Sequence, residues 1–158
     1  MELEEIMKAF ADEIGIEGVT AAEDGAYHFD IDGISVMFAT DGDKTKISMF
    51  AEIGEPSSEG REVVYRAVLE AMAPGAETDG NTFSVMRGSD RIVLYRTDPL
   101  ALTDYAVFKS RLENLVNVAE DWRRNLADFP ALYEKVQSAV NAAKEKSREF
   151  SQSGFLQV

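Results

Sequence analysis

The chain has 158 residues, 29 acidic against 16 basic side chains, a formal net charge of −13, no cysteine and 45% hydrophobic residues. That length suits one domain with a core of its own, and the missing thiols exclude disulfides, thiolate metal sites and cysteine nucleophiles. The charge excess lies in residues 1–100, with 21 acidic and 8 basic side chains, whereas 101–158 carry 8 of each; an acidic front repels phosphate backbones and argues against a nucleic-acid partner. No apolar run approaches the roughly 20 residues of a membrane span. The start Met1-Glu2-Leu3-Glu4-Glu5 lacks the basic n-region of a secretory leader. The expected location is the cytoplasm, without a membrane partner.

Leu3, Ile6, Met7, Phe10 and Ile14 recur at helical spacing, so residues 2–14 are expected to form an amphipathic helix ending at Gly15. Tyr27, Phe29 and Ile31 then alternate with His28 and Asp30. Asp32-Gly33 is a two-residue hairpin signal, and Ile34, Val36 and Phe38 resume the alternation. A third strand is expected over 45–53, with Ile47, Met49, Ala51 and Ile53 on one face. The opposite face of this meander holds Met37 and Phe50, a candidate sticky surface unless a helix or partner covers it.

A second helix is expected at about 59–73, capped by Ser58. Val63, Val64, Ala67, Val68, Ala71 and Met72 form its stripe, Tyr65 and Leu69 widen it, and only Glu62, Arg66 and Glu70 are polar. A helix apolar over so much of its circumference needs contacts on two sides. The sheet supplies one, and a second copy is expected to supply the other, giving a homodimer through Val64, Tyr65, Val68, Leu69 and Met72. Residues 74–81 read as a loop, followed by strands at about 82–87 and 91–97.

The longest signal runs from Thr103 to Phe129. Tyr105, Phe108, Leu112, Leu115, Ala119, Trp122, Leu126 and Phe129 alternate steps of three and four, which places a heptad seam on one helix face. Thr103 is the expected N-cap, and the whole helix should lie as a lid on the core. The seam continues through Tyr133, Val136, Val140, Ala143 and Phe150, although Pro130 must kink the helix or start a new one. Residues 1–129 therefore read as one α+β domain, an antiparallel sheet with helices packed on it in the order α-β-β-β-α-β-β-α. Residues 130–158 are a C-terminal helical extension that could pack on the body, pair with a partner copy or be partly loose, with 151–158 expected to fray.

Chemistry-bearing patterns are sparse. His28 is the only histidine, and no nucleophile pairs with it; an acid–base role with Asp30 and Asp32 is conceivable, but Asp-Gly in a tight turn accounts for Asp32. Asp41, Asp43, Thr45 and Glu52 fall on a calcium-loop template whose glycine position is taken by Lys46. No cofactor or metal motif and no catalytic constellation is expected.

Four stretches together resemble the class I type III secretion chaperones, the Tir-chaperone (CesT-like) family. They are Phe29-Asp30-Ile31-Asp32-Gly33-Ile34-Ser35-Val36, Ile47-Ser48-Met49-Phe50-Ala51-Glu52-Ile53-Gly54, the helix Val63 to Met72, and Leu112-Glu113-Asn114-Leu115-Val116 with Ala119 to Leu126. The resemblance covers about residues 2–128. Ala71-Met72-Ala73-Pro74 departs from the usual Asn-containing turn, and residues 130–158 pass beyond the usual last helix. The resemblance implies a homodimeric, non-enzymatic protein that holds the N-terminal segment of a secreted effector in extended form. Its client-binding positions would be Phe10, Ile14, Phe29, Ile31, Val36, Met37, Phe38 and Phe50. A YbjN-like dimer serving a signalling or stress partner is the alternative.

Overall fold

The computed structural model describes residues 1–73 and 78–152. Its elements are α1 (Leu3–Ile14), β1 (Tyr27–Ile31), β2 (Ile34–Thr40), β3 (Lys46–Gly54), α2 (Arg61–Ala71), β4 (Thr82–Val85), β5 (Ile92–Pro99), α3 (Tyr105–Ala127) and α4 (Phe129–Gln152). The architecture is the expected α+β one, in the expected order. The strands pair antiparallel throughout, in the spatial order β1-β2-β3-β5-β4. Both β1 and β4 are consequently edge strands.

Local chemistry explains most of the boundaries. Glu2 and Glu5 form a capping box at the start of α1, and Gly15 closes it in the left-handed conformation at φ 74°. Asp32 and Gly33 both have positive φ, 53° and 77°, the type I′ geometry that matches strand twist. At the next turn Asp41 accepts hydrogen bonds from the Thr45 and Lys46 backbone N–H groups and from the Thr45 hydroxyl. Its carboxylate is thus engaged in holding the β2–β3 connection.

Two caps differ from expectation. The α3 N-cap is Asp104, whose carboxylate accepts from Val107 N at 2.8 Å, while the Thr103 hydroxyl donates to the Pro99 carbonyl. The α2 N-cap is Gly60 at φ 82°, not Ser58. There the ring of Phe129 lies against the glycine, and a Cβ would come within 2.1 Å of it, so only glycine can occupy the position. At the other junction α3 stops at Ala127 and α4 begins at Phe129 with Pro130 in its first turn. Of the two readings of Pro130, it starts a new helix.

Each strand sends alternate side chains to one face, where α1 and α3 cover them. Phe10 of α1, Phe29 and Phe38 of the hairpin and Phe108 of α3 meet edge to face with ring centroids 5.1–6.1 Å apart. Further along α3, Trp122 meets Phe83 of β4 at 4.9 Å. Arg96 points into this same layer from β5 and is buried, where Asp98 and Asn81 bind its guanidinium. Leu132 and Val136 of α4 belong to the same buried cluster as Val64 and Val68 of α2. The anticipated loop at 74–81 is a turn where described, at 78–80; residues 74–77, and residues 153–158 of the expected frayed end, lie outside the described residues.

Candidate functional site

Among the described residues no strand pairs with the outer edge of β1, and beside it lies a groove of about 670 Å³ between α1, β1 and α3. Phe10, Ile31, Leu112 and Val116 line it as apolar groups, with Ile14 and Ile16 each 44% exposed at its mouth. Carboxylates of Glu13, Asp30, Asp32 and Glu113 border it, with Lys109 as the one cation among the described lining residues. The register Ile31↔Ile34 beside a two-residue turn makes that pair the hydrogen-bonded one, as are Phe29↔Val36 and Tyr27↔Phe38. The backbone N–H and C=O groups of His28 and Asp30 therefore point away from β2, toward the free edge.

A second apolar strip crosses the opposite face of the sheet. His28, Met37, Phe50, Tyr95 and Thr82 are direct cross-strand neighbours in register. Phe50 and Tyr95 stack with centroids 5.7 Å apart, and a cavity of about 620 Å³ opens over Met37, Phe50, Tyr95, Val93 and Met86. The Ser48–Thr97 hydrogen bond and the Arg91–Glu52 ion pair flank the strip.

The expected partner-binding residues thus fall into three places. Phe10, Ile14 and Ile31 sit at the groove, and Met37 and Phe50 on the outer strip. Phe29, Val36 and Phe38 are buried in the core. On α2, Val64 and Val68 are buried within the chain, Tyr65 and Met72 are half-buried, and Leu69 is 65% exposed. The Tyr65 hydroxyl donates to the Asp90 carbonyl at 3.3 Å, and the Met72 sulfur accepts from Phe83 N. Sequence reasoning missed Leu112 and Val116 as groove wall and Tyr95 as the partner of Phe50. Val116 flanks the α3 seam and Tyr95 alternates within its strand, but only the packing shows which cavities they enter.

His28 stands apart from Asp30 and Asp32, which both border the groove. His28 lines the outer cavity, the Asp30 carboxylate accepts from Gly33 N at 2.9 Å, and Asp32 occupies the hairpin turn.

One polar clamp holds the groove's helices together. The Glu13 carboxylate accepts from the Tyr105 hydroxyl at 2.6 Å and from Lys109. The Lys109 hydrogen bond, then that of Tyr105, holds the Glu13 carboxyl below its ordinary range. Burial first, then the Glu13 hydrogen bond and charge, push the Tyr105 hydroxyl up to about 12. A group held protonated above its unfolded pKa loses its contribution as pH rises between the two values. Wild-type stability should therefore fall from pH 10 to 12 more steeply than that of Tyr105→Phe, measured by urea unfolding across that range; parallel profiles would show that the clamp adds nothing.

An open sheet edge beside an apolar groove suits an extended polypeptide, which takes backbone pairing from the edge and side-chain pockets from the groove. The chain belongs to the Tir chaperone protein (CesT) family, whose model matches residues 5–123. Solved structures agree on the fold. A chain of the ExsC–ExsE complex superposes with a TM-score of 0.67 at 18% identity, covering 80% of this chain and 97% of that one. The heterodimeric ExoU–SpcU complex of the Pseudomonas aeruginosa type III secretion system gives 0.60 at 13% identity, over 75% of this chain and 95% of the other. The Yersinia pestis type III secretion chaperone SycH, solved with a stable fragment of YscM2, gives 0.55 at 18%, over 75% and 97%. No curated protein sequence matches the chain significantly. Among the described residues no helix is long and apolar enough to cross a membrane.

Proposed function

We propose that this protein is a cytoplasmic, homodimeric chaperone that holds the N-terminal segment of a secreted effector in extended form for type III secretion. The observation that carries the reading is the free β1 edge lying directly against the Phe10–Ile31–Leu112–Val116 groove. Family membership supports it, as does the fold shared with the type III secretion chaperone SycH and with the ExoU–SpcU complex of a type III secretion system.

In this reading the client adds a strand to β1, pairing with the backbone of His28 and Asp30. Alternate client side chains enter the groove, where apolar residues near Ile14 and Ile16 become covered. The carboxylates around the groove favour basic residues between the client's apolar ones, because opposite charge at the rim speeds encounter and sets register. The outer strip around Met37 and Phe50 offers a second contact for a longer client. The second copy meets α2 at Tyr65, Leu69 and Met72. No catalytic step, metal or cofactor enters this function.

The test is a tagged pull-down from the source cell, with mass spectrometry of what co-elutes. One stoichiometric partner is expected, bound through an N-terminal segment that proteases remove when it is free. His28→Pro deletes an outward donor of the β1 edge without touching a β1–β2 hydrogen bond, and should weaken that complex roughly tenfold, the worth of one main-chain hydrogen bond. Unchanged affinity would exclude strand addition at β1. A clean dimer that captures no polypeptide would replace the secretion role with the YbjN-like reading.

A further inference from the structure

Helix α4 lies wholly outside the stretch that matches the family, residues 5–123. Yet it is not simply appended. Along its length α2 approaches α4 more than it approaches any other element. Phe129 seats its ring on the backbone of Gly60, at a position where even a methyl group would collide. Leu132 and Val136 follow at helical spacing and are both buried in the core, while on α2 Val64 and Val68 stand four and eight positions on from Gly60, on the face that meets Phe129. These three α4 positions lie on one face over two turns. From Asn141 to Ser151 every residue is exposed, so the helix leaves the body once that contact is made.

The pattern of α2 gives this contact its meaning. Its stripe is too wide for one neighbour, and α4 now takes one side of it. What remains outside is a narrow ridge, with Leu69 at 65% exposure between half-buried Tyr65 and Met72. We propose that α4 is an in-chain cover that occupies the Val64–Val68 side of α2 in place of a second copy, and so confines self-association of this chain to the Tyr65–Leu69–Met72 ridge. The occupant that α4 excludes is a second copy for a structural reason. Lifting α4 bares the apolar side of α2, and any second chain bares the same side, so two copies can meet there across a two-fold axis. The ridge rests on the homodimer reading above; the cover does not.

The test uses the full-length chain. Leu132→Asp/Val136→Asp places charge in the covered contact, with Leu132→Ser/Val136→Ser as the milder pair and circular dichroism confirming that each remains folded. Trypsin cleavage after Lys135 reports whether α4 is held, with cleavage after Lys144 in the exposed end as the internal clock. Light scattering across a concentration series reports association. In the variants, cleavage after Lys135 should accelerate at least tenfold relative to the clock, and the mass should rise above wild type with concentration. Adding Val68→Asp should return the mass to the wild-type value. Variants that keep wild-type mass while cleaving faster overturn the cover, and so does an unchanged cleavage ratio. The homodimer reading is separated by Leu69→Asp alone: if wild type is already monomeric and this change does nothing, the ridge falls, while association of the α4 variants still supports the cover.

Discussion

Phe38→Ala should lower the unfolding free energy by about 3–5 kcal/mol, the range for removing a fully buried aromatic ring. Phe38 is completely inaccessible to solvent. Its ring meets those of Phe10 of α1, Phe29 of β1 and Phe108 of α3, at 6.1, 5.6 and 5.3 Å. Each edge-to-face pair adds about 0.5–1.5 kcal/mol beyond area burial, and the surrounding helices and strands cannot all close on the vacated space. Against a typical total of about 5–15 kcal/mol, that is a large fraction of the stability. Urea unfolding followed by tryptophan fluorescence measures it. A loss below about 1 kcal/mol would mean that the four-ring cluster does not organise the core.

Arg96→Ala should be comparably damaging, about 3–5 kcal/mol, for a different reason. The buried arginine spans from Asp98, through hydrogen bonds of 2.7 and 3.3 Å, to the Asn81 side-chain oxygen at 3.5 Å. Asn81 donates in turn to Asn114 of α3, and Asn114 donates to Asp79. Removing the guanidinium strands the Asp98 carboxylate, which is 19% exposed, and frees one end of the chain of bonds that ties α3 to the start of β4. Replacing both partners, Arg96→Met with Asp98→Leu, removes the desolvated charges together and should recover most of the loss. Chemical denaturation of the two single variants and the double variant decides it; additive losses would show that the two groups are not coupled.

Much of this fold was readable from local pattern. The 3.6-residue spacing of Leu3, Ile6, Met7 and Phe10, the alternation of β1 to β3, the Asp32-Gly33 turn and the α3 seam each determine a conformation within a few residues of themselves. The caps were less legible. Thr103 and Asp104 are both good capping residues, and Ser58 is one where Gly60 is used; which side chain reaches a free helix N–H depends on how the preceding loop is held. For α2 the loop is held by Phe129, which lies 69 positions further along the chain.

The site divides in the same way. Phe10, Ile14, Ile31, Met37 and Phe50 were recognisable as apolar residues on particular faces, because a strand or helix face follows from periodicity alone. Whether a face is core, groove or outer surface is a matter of what lies opposite. Phe29, Val36 and Phe38 share their alternation with the groove residue Ile31 but lie beneath α1 and α3, while Ile31 emerges at the edge, where Leu112 and Val116 complete a wall.

By itself, then, the sequence determined the elements, their order, the acidic character of the first hundred residues and the need of α2 for cover on two sides, since each follows from residue type and short-range spacing. Only the tertiary structure decided that β1 is an edge strand, that α3 walls the groove beside it, and that α4 packs against α2. Those outcomes depend on strand order and on contacts between residues distant in the chain, and periodicity carries no information about the partner that a buried face will meet.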